Sequence, residues 1–489
     1  MTTAVESTTY LELSEEGGGA HKFYEVRQSG TRVTISFGRI GEPGQTRAAG
    51  YPTAEKAAAA AARKVGEKVR KGYAPAVRGV RQRRAVTRRE IVSSRSTARQ
   101  APVLWRFSSG AAAFGIFVGE EHAWVGNQRG DVFTLTHDGV VTGRFGLPDG
   151  VKCIVADDFW IYAGCDDGRV YDLGGKVPHV AYEIADDVDI YWLDIHDGVL
   201  GVSDRQGGVT TVDHEDEFQW RRGGGAAGSG GSGGGHGWMV RCDDEGVYHG
   251  DSRGVTMYGA RDGAPVWHTG TDGSVLFGWQ EAAEVFAGTS RGWVHRLAKA
   301  DGAERSRYRC DAAVFSCATS PDGRYVFAGD NHSSVYCFAA DGTRLWKLGT
   351  GCGSAYSMQY RDERLYIVTT DGSLACVDAG ENAIREAEGG RLPQTTDIKA
   401  TGWERVLPSP EVETVVSVPA GAAGGVVVEC VQDGSRTRIR VVSPGFDPTW
   451  RVQFPKDIRV PGARYVVTEV RASARGGFYR VRGDIKRML

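Results

Sequence analysis

Apolar and polar residues alternate with a period of two along most of this chain, which is typical of β-strands with one buried face. Near the N-terminus the alternation covers Tyr10–Leu13, Lys22–Val26 and Thr31–Phe37. The pattern then favours a helix, because Thr53 can cap its start, Ala57–Ala62 can propagate it and Gly72 can end it. Residues 8–74 are therefore predicted to form a small α+β domain.

The next segment, residues 75–101, lacks hydrophobic periodicity and is rich in arginine, with Glu90 as its only acidic residue. It is predicted to be a linker. A solvated tether and an arm that wraps nucleic acid are both compatible with this composition.

One pattern recurs seven times between residues 102 and 400: a short apolar strand, a turn of small residues, a second strand and a polar turn. The copies begin at Ala123, Trp160, Val199, Val247, Val285, Val326 and Leu365. The spacing is about 40 residues except for one gap of 48, where the glycine-rich run Gly223–Gly237 is inserted. This period predicts the blades of a β-propeller. The fold class is therefore predicted to be mainly β, with a seven-bladed propeller at its centre.

Several repeats end in a polar turn followed by a tryptophan, as in Asp262–Trp267 and Asp341–Trp346. These endings resemble the blades of WD-repeat and quinoprotein-type propellers, and the turn Ser320–Arg324 resembles one common in WD repeats. The resemblance implies an architecture and leaves the function open. Val103–Phe107 resembles the blade-ending strand Arg344–Leu348 but precedes the first full repeat, so it is predicted to complete the last blade.

Beyond residue 400 the repeat stops, and residues 401–489 are predicted to form a small β-rich module. Its predicted strands are Val426–Val431, Arg436–Val442, Trp450–Phe454 and Tyr465–Val470.

Charge is distributed unevenly along the chain. Residues 1–100 carry 19 Lys and Arg against 9 Asp and Glu (+10), residues 101–431 carry 27 against 47 (−20), and residues 432–489 carry 13 against 5 (+8). A basic head, an acidic body and a basic tail suggest a polyanionic partner or electrostatic docking within the chain.

The sequence also excludes several classes of protein. The N-terminus does not resemble a secretory signal, no apolar run reaches the length of a membrane span, and the nine cysteines include no C-x-x-C pair. A cytoplasmic protein with no membrane partner, no disulfide framework and no zinc ribbon is expected.

The nine residues from Phe37 to Gln45 (Phe-Gly-Arg-Ile-Gly-Glu-Pro-Gly-Gln), followed by a helix that ends in Lys71-Gly72-Tyr73, resemble the WGR domain. That module occurs in DNA-dependent poly(ADP-ribose) polymerases and in many bacterial proteins. The resemblance implies that Phe37 and Arg39 contact the end of a DNA strand. Phe37 replaces the usual tryptophan, which keeps the capacity to stack but removes the indole N–H.

The candidate nucleic-acid-binding residues are Phe37, Gly38, Arg39, Gln45, Lys71, Arg81, Arg83 and Arg84. An exposed arginine beside an aromatic ring on a basic domain suits a phosphate and its sugar. In the alternative interpretation, Phe37 belongs to the domain core and Arg39 is an interface residue that holds the propeller.

Other motifs have ordinary explanations. Gly250–Gly254 matches G-x-S-x-G but occupies a repeat turn, and Gly223–Gly228 matches G-x-G-x-x-G without a helix after it. The eleven histidines show no metal-binding spacing. No catalytic residue, cofactor or metal is therefore predicted.

Three functional hypotheses remain. The first is a non-enzymatic scaffold whose propeller binds a protein partner, with a head that binds nucleic acid or another subunit. The second is a sensor of DNA ends or damage that recruits effectors. The third is a propeller that binds a ligand or catalyses a reaction in its central channel.

Overall fold

The computed structural model describes residues 6–13, 22–39, 44–71, 73–75, 92, 94–184, 188–215, 218–223, 238–400, 402–415, 425–434 and 436–489. The chain is divided into two compact units. The first ends at residue 85, and the second holds residues 86–184 and 188–489. Each unit has its own buried core.

The first unit is a five-stranded sheet covered by one helix. Its elements are β1 (Glu6–Leu13), β2 (Lys22–Ser29), β3 (Arg32–Arg39), β4 (Gln45–Gly50), α1 (Ala54–Val69) and β5 (Ala74–Pro75), and the strand order is β4-β3-β2-β1-β5. The Thr53 hydroxyl accepts the Lys56 N–H at 3.3 Å, which confirms the predicted cap. Ala57 and Ala61 pack against Leu11, Tyr24 and Val26, so small helical side chains let α1 lie close to the sheet.

The second unit begins with β6 (Val103–Ser108) and continues through seven sheets, which we name blades 1 to 7. Blade 1 contains β7 (Ala113–Val118), β8 (His122–Asn127), β9 (Asp131–Thr136) and β10 (Val141–Gly146). Blade 2 contains β11 (Val151–Asp157), β12 (Trp160–Cys165), β13 (Arg169–Asp172) and β14 (His179–Glu183). Blade 3 contains β15 (Ile190–His196), β16 (Val199–Asp204), β17 (Gly208–Val212) and β18 (Phe218–Gly223).

Blade 4 contains β19 (Met239–Cys242), β20 (Gly246–Asp251), β21 (Gly254–Gly259) and β22 (Pro265–Gly270). Blade 5 contains β23 (Val275–Gln280), β24 (Glu284–Thr289), β25 (Trp293–Ala298) and β26 (Glu304–Arg309). Blade 6 contains β27 (Val314–Thr319), β28 (Tyr325–Asp330), β29 (Ser334–Ala339) and β30 (Arg344–Gly349). Blade 7 contains β31 (Ala355–Arg361), β32 (Arg364–Thr369), β33 (Ser373–Asp378), β6 and the short parallel strand β34 (Thr396–Ile398), and α2 (Glu381–Glu388) follows β33.

The ring is closed by β6, the first strand of the second unit. β6 pairs with β33 in blade 7, which confirms that residues 103–107 complete the last blade. The first strands of successive blades lie against one another, and β31 lies against β7. The described sheets therefore form a propeller in which the last blade packs against the first.

The second strand of six blades contains a glycine, and contact with the next blade explains why the repeat has a small residue there. A Cβ atom at Gly126 would lie 2.4 Å from Val151 Cγ1, and one at Gly250 would lie 2.5 Å from Val275 Cγ1. The other four glycines meet the next blade in the same way: Gly164, Gly201, Gly288 and Gly329. Close packing of neighbouring blades therefore requires residues without a side chain here.

The segments on either side of the repeats lie along the outer edges of blades. The Gly349 N–H donates to the Arg99 carbonyl, and the Ala101 N–H donates to the Gly349 carbonyl, so the end of the predicted linker runs beside β30. On blade 1, Val406 bridges to Phe145.

The C-terminal residues form a further sheet from β35 (Thr414–Val415), β36 (Val426–Asp433), β37 (Arg436–Val441), β38 (Arg451–Gln453), β39 (Arg464–Ala472) and β40 (Phe478–Met488). Val428, Ile439, Tyr465 and Val481 belong to its core. The longest strand, β40, does not appear among the predicted strands, because its second half, Gly483–Met488, has few apolar residues.

Candidate nucleic-acid interface

Phe37 lies near the end of β3, opposite Tyr24 on β2 and Gln45 on β4. Its ring is half-buried, with its centroid 6.2 Å from that of Tyr24. Tyr24 is in turn 6.2 Å from Tyr73, which follows α1. Phe37 therefore lies at one edge of an aromatic cluster. Part of its ring packs against the core, and part is accessible at the surface.

Gly38, near the end of β3, lies very close to Gly44, the residue before β4. A Cβ atom there would lie 2.7 Å from the Gly44 Cα, and Gly44 has φ +67° with Phe23 Cζ 2.6 Å from its own ideal Cβ position. Both positions therefore require glycine. The residues between them, 40–43, lie outside the described residues.

Two cations lie beside the aromatic cluster. The Arg47 guanidinium carbon is 5.4 Å from the centre of the Phe37 ring, and Lys68 Nζ is 4.5 Å from the Tyr24 ring and 5.0 Å from the Tyr73 ring. Burial, together with repulsion from Lys71 and Lys22, lowers the pKa of Lys68. Cations gathered closely enough to repel one another form a favourable place for a polyanion.

The structure places some of the candidate nucleic-acid-binding residues close together and does not describe others. Phe37, Gly38 and Gln45 lie together at the end of β3 and the start of β4, and Lys71 is exposed just after α1. The backbone of Arg39 ends β3 opposite Lys22, and its side chain lies outside what the structure describes. Arg81, Arg83 and Arg84 also lie outside the described residues, so their roles stay predictions.

Arg47 and Lys68 were not among the candidates, although the sequence contains a signal for both. Arg47 follows Gln45 by two residues in a strand, so it lies on the same face of the sheet. Lys64, Lys68 and Lys71 follow one another at intervals of four and three residues, which places them along one side of the helix end.

The C-terminal sheet docks onto blades 2 and 3 through buried ionic contacts. Arg480 is 2% exposed, its Nη2 lies 2.9 Å from Asp157 and donates to the Tyr162 hydroxyl at 3.0 Å, and its guanidinium carbon lies 3.8 Å from the centre of the Trp160 ring. Burial disfavours the charged form, but the interactions with Tyr162 and Asp157 outweigh it and raise the pKa of Arg480. Of the two origins suggested for the uneven charge, docking within the chain is observed.

Further contacts place this sheet on one face of the propeller. Arg475 pairs with Asp244 at 2.7 Å, Arg438 pairs with Glu215 at 3.1 Å, and the Asp197 carboxylate accepts the Ala474 N–H. Turns between the first and second strands and between the third and fourth strands lie on the same face of an antiparallel blade. These acidic partners are all in such turns, so we call this side the acidic face.

Much of the acidic face carries exposed carboxylates away from the C-terminal sheet. They are Glu120, Glu121, Asp138, Asp262, Asp301, Asp322, Asp341, Asp362, Glu363 and Glu381. Cations pair with four of them: Arg364 with Asp138, Arg305 with Asp301, Arg324 with Asp322 and Arg361 with Asp362.

Arg241 occupies the region where the inner strands meet. Its Nε donates to the Gly278 carbonyl at 2.9 Å, Nη1 is 4.0 Å from Asp194, and the rings of Trp192, Phe277 and Trp279 surround its guanidinium. Burial raises the pKa of Asp194. Within the part of the chain that the structure describes, no three His, Cys, Asp or Glu side chains lie close enough to hold a metal ion.

Comparison with known families gives a match in two regions of the chain. Residues 7–80 match the WGR domain, and residues 290–429 match the family described as outer membrane protein assembly factor BamB. The chain thus carries a WGR domain followed by a β-propeller with WD40-like and PQQ-like repeats. A WGR domain joined to a propeller suggests an interaction or binding function.

Three solved structures have a similar fold. They are the WD40 β-propeller domain of Doa1 (10% identity, TM-score 0.48, 59% of this chain and 99% of that chain), the β-propeller domain of Cps50 (Swd1) from Myceliophteria thermophila (11%, 0.49, 57% and 100%) and the computationally designed Ika8 protein (13%, 0.45, 57% and 99%). A comparison with curated proteins gives no match. No helix among the described residues is long and apolar enough to cross a membrane.

Proposed function

We propose that this protein is a non-enzymatic scaffold in which the WGR domain binds nucleic acid and the acidic face of the propeller binds a basic protein segment. The observation that carries the proposal is the row formed by Arg47, Phe37, Tyr24 and Lys68. Guanidinium and ammonium groups bind phosphates, and the accessible part of the half-buried Phe37 ring can stack on a sugar or base, whereas Tyr24 is buried and supports that ring. Phe37 lacks an indole N–H, so its contribution is stacking alone.

The test for the WGR domain compares the full chain with the double variant Arg47→Ala/Lys68→Ala. Fluorescence anisotropy is measured with a blunt 20-base-pair duplex and a 20-nucleotide single strand. We expect the dissociation constant of at least one of them to rise tenfold or more. Arg32→Ala is the control, because Arg32 is exposed at the opposite end of β3. Equal affinities for the control and the double variant would remove the assigned role.

The C-terminal sheet supports the second part of the proposal, since its own arginines Arg475 and Arg438 bind carboxylates of the acidic face. A basic segment of another protein would use the carboxylates that this sheet does not reach, including Glu120 and Glu121 of blade 1. Attraction of this kind acts mainly on association and weakens as salt is added.

The corresponding test titrates the full chain with a 12-residue peptide of alternating arginine and serine. Glu120→Gln/Glu121→Gln should weaken binding at least threefold. Glu55→Gln/Glu67→Gln in the WGR domain changes the net charge equally and should leave binding within 1.5-fold. Loss of affinity in both double variants alike would show only a response to net charge and would contradict a docking face.

A further inference from the structure

Blade 5 differs from the other blades at one pair of facing positions. In every blade the first residue of the third strand lies opposite the last residue of the outer strand, and in blade 5 these residues are Trp293 and Arg309. The equivalent pairs are Asp131/Gly146, Arg169/Glu183, Gly208/Gly223, Gly254/Gly270, Ser334/Gly349 and Ser373/Ser108. Small or ion-paired residues satisfy the fold at this position, so the repeat does not require the tryptophan or the arginine.

Two arginines lie against the indole of Trp293. The guanidinium carbons of Arg307 and Arg309 are each 4.9 Å from the centre of the Trp293 ring. Arg309 Nη1 donates to the Arg291 carbonyl at 2.6 Å, which places the main chain of a third arginine beside the cluster. All three arginine side chains are exposed, and Trp293 is half-buried.

These arginines also differ from cations at matching places. Arg144, Arg221, Lys347 and Arg106 occupy the outer-strand position of Arg307 in other blades, and they pair with Asp131, Asp204, Asp311 and Asp397. Among the described residues, no carboxylate forms an ion pair with Arg291, Arg307 or Arg309. Their charges are therefore available to an external anion.

Two acidic side chains, Glu304 of blade 5 and Asp272 of the connection from blade 4, pair with a histidine that lies next to Trp293 on β25. His295 follows Trp293 by two residues, with Nδ1 2.6 Å from Glu304 and Nε2 3.0 Å from Asp272. The His295 side chain is 5% exposed, so it holds both carboxylates from the protein side. The arginine cluster retains a net positive charge at the edge of an otherwise acidic propeller.

We propose that Trp293, Arg291, Arg307 and Arg309 form a binding site for single-stranded nucleic acid on blade 5. Arg307 and Arg309 alternate along β26 and so project about 7 Å apart, a spacing at which two groups can contact phosphates of one extended strand. The planar guanidinium groups bind phosphate oxygens in pairs, and the indole and guanidinium planes stack on unpaired bases. A duplex keeps its bases stacked on each other, so the site favours a single strand.

The test uses the full chain and a fluorescent 20-nucleotide single strand. Arg307→Ala/Arg309→Ala should raise the dissociation constant at least tenfold and reduce the slope of log K against log salt by about 1.4, from about 0.7 for each phosphate contact. The control is Arg261→Ala/Arg385→Ala, which removes two exposed arginines elsewhere in the propeller unit and should change the dissociation constant less than twofold. Trp293→Ala should raise it at least fivefold.

The site on blade 5 and the WGR domain can be told apart. If Arg47→Ala/Lys68→Ala abolishes binding of the single strand while the blade 5 variants bind normally, the WGR proposal stands and this one fails. Reduced binding in the blade 5 variants alone supports this proposal and counts against the other. If the blade 5 variants lose a phosphorylated peptide but keep the single strand, the ligand class proposed here is wrong.

A second measurement does not depend on how well the variants fold. A single strand carrying 5-iodouracil, irradiated with the wild-type chain, should attach to the tryptic peptide of residues 292–296, which contains Trp293. Adducts confined to other peptides would overturn the assignment.

Discussion

The indole nitrogen of Trp105 donates a hydrogen bond to the main-chain oxygen of His137 at 2.9 Å. Trp105 lies on β6, the strand that completes blade 7, and His137 lies in a turn of blade 1. This bond therefore joins the two ends of the ring. Equivalent bonds run from Trp220 to Ala260 and from Trp267 to Lys299, so tryptophans also connect blade 3 to blade 4 and blade 4 to blade 5.

Trp105→Ala should lower the free energy of unfolding by about 3–5 kcal/mol, because it removes this bond and leaves a cavity at the ring closure. Chemical denaturation of the full chain measures the effect. Trp403→Ala is the matched control, since Trp403 is 44% exposed and should change the stability by less than about 0.5 kcal/mol. Equal losses in both variants would mean that Trp105 does not hold the ring together.

Arg480→Met should destabilise the second unit by about 3–5 kcal/mol, since it leaves the buried Asp157 without its cation. Limited proteolysis should also release fragments from residues 402–489. Arg464→Ala, which removes an exposed partner of Glu429, should cost no more than about 1 kcal/mol. Stability regained in the double variant Arg480→Met/Asp157→Asn, which removes the charge but keeps an acceptor for the Asp197 N–H, would confirm that the unpaired carboxylate causes the loss. An unchanged single variant would contradict the docking of the C-terminal sheet.

Gly126→Ala should destabilise the propeller by about 1–3 kcal/mol, because the added methyl group would lie 2.4 Å from Val151 Cγ1 in the next blade. Gly66→Ala provides the contrast. Gly66 lies inside α1, where a Cβ atom meets nothing closer than 3.8 Å, so alanine should stabilise the first unit by up to about 1 kcal/mol. Calorimetry of each variant measures whether the free energy of unfolding falls or rises. Stabilisation by Gly126→Ala would show that the blades are packed less closely than the distances indicate.

The stability of the propeller should decrease in acid through His249. Burial lowers the pKa of this side chain from 6.5 to about 4. The unfolded chain therefore takes up the proton first, so the contribution of His249 is complete above pH 6.5 and is lost as the pH falls through about 4. His249→Phe should flatten the stability profile between pH 6.5 and 4, and His332→Phe, at an exposed site, should not. Parallel profiles for the wild type and His249→Phe would refute this assignment.

The sequence predicts the propeller well, because each repeat shows its strands within a short window and most repeats add a glycine or a tryptophan at a fixed place. Trp105 could be assigned to the last blade from Leu104-Trp105 alone, since it matches Leu345-Trp346. The interface of the C-terminal sheet could not be predicted in this way. Asp157 and Arg480 are 323 positions apart, and no local pattern connects a buried arginine with a distant carboxylate.

The candidate site was predicted in part. Phe37, Gly38 and Gln45 are consecutive features of one motif and lie together, whereas Lys68 reaches the cluster only because α1 packs across the sheet. The cluster on blade 5 could be recognised only after strand register placed Trp293 opposite Arg309, since the two residues are separated by a whole hairpin.

The most direct test of the account is the salt dependence of nucleic-acid binding by the full chain. We predict that Arg47→Ala/Lys68→Ala lowers the slope of log K against log salt for a blunt duplex by about 1.8, which corresponds to about 0.9 for each lost phosphate contact. A slope identical to that of the wild type, at any affinity, would contradict the claim that this surface of the WGR domain binds the phosphate backbone.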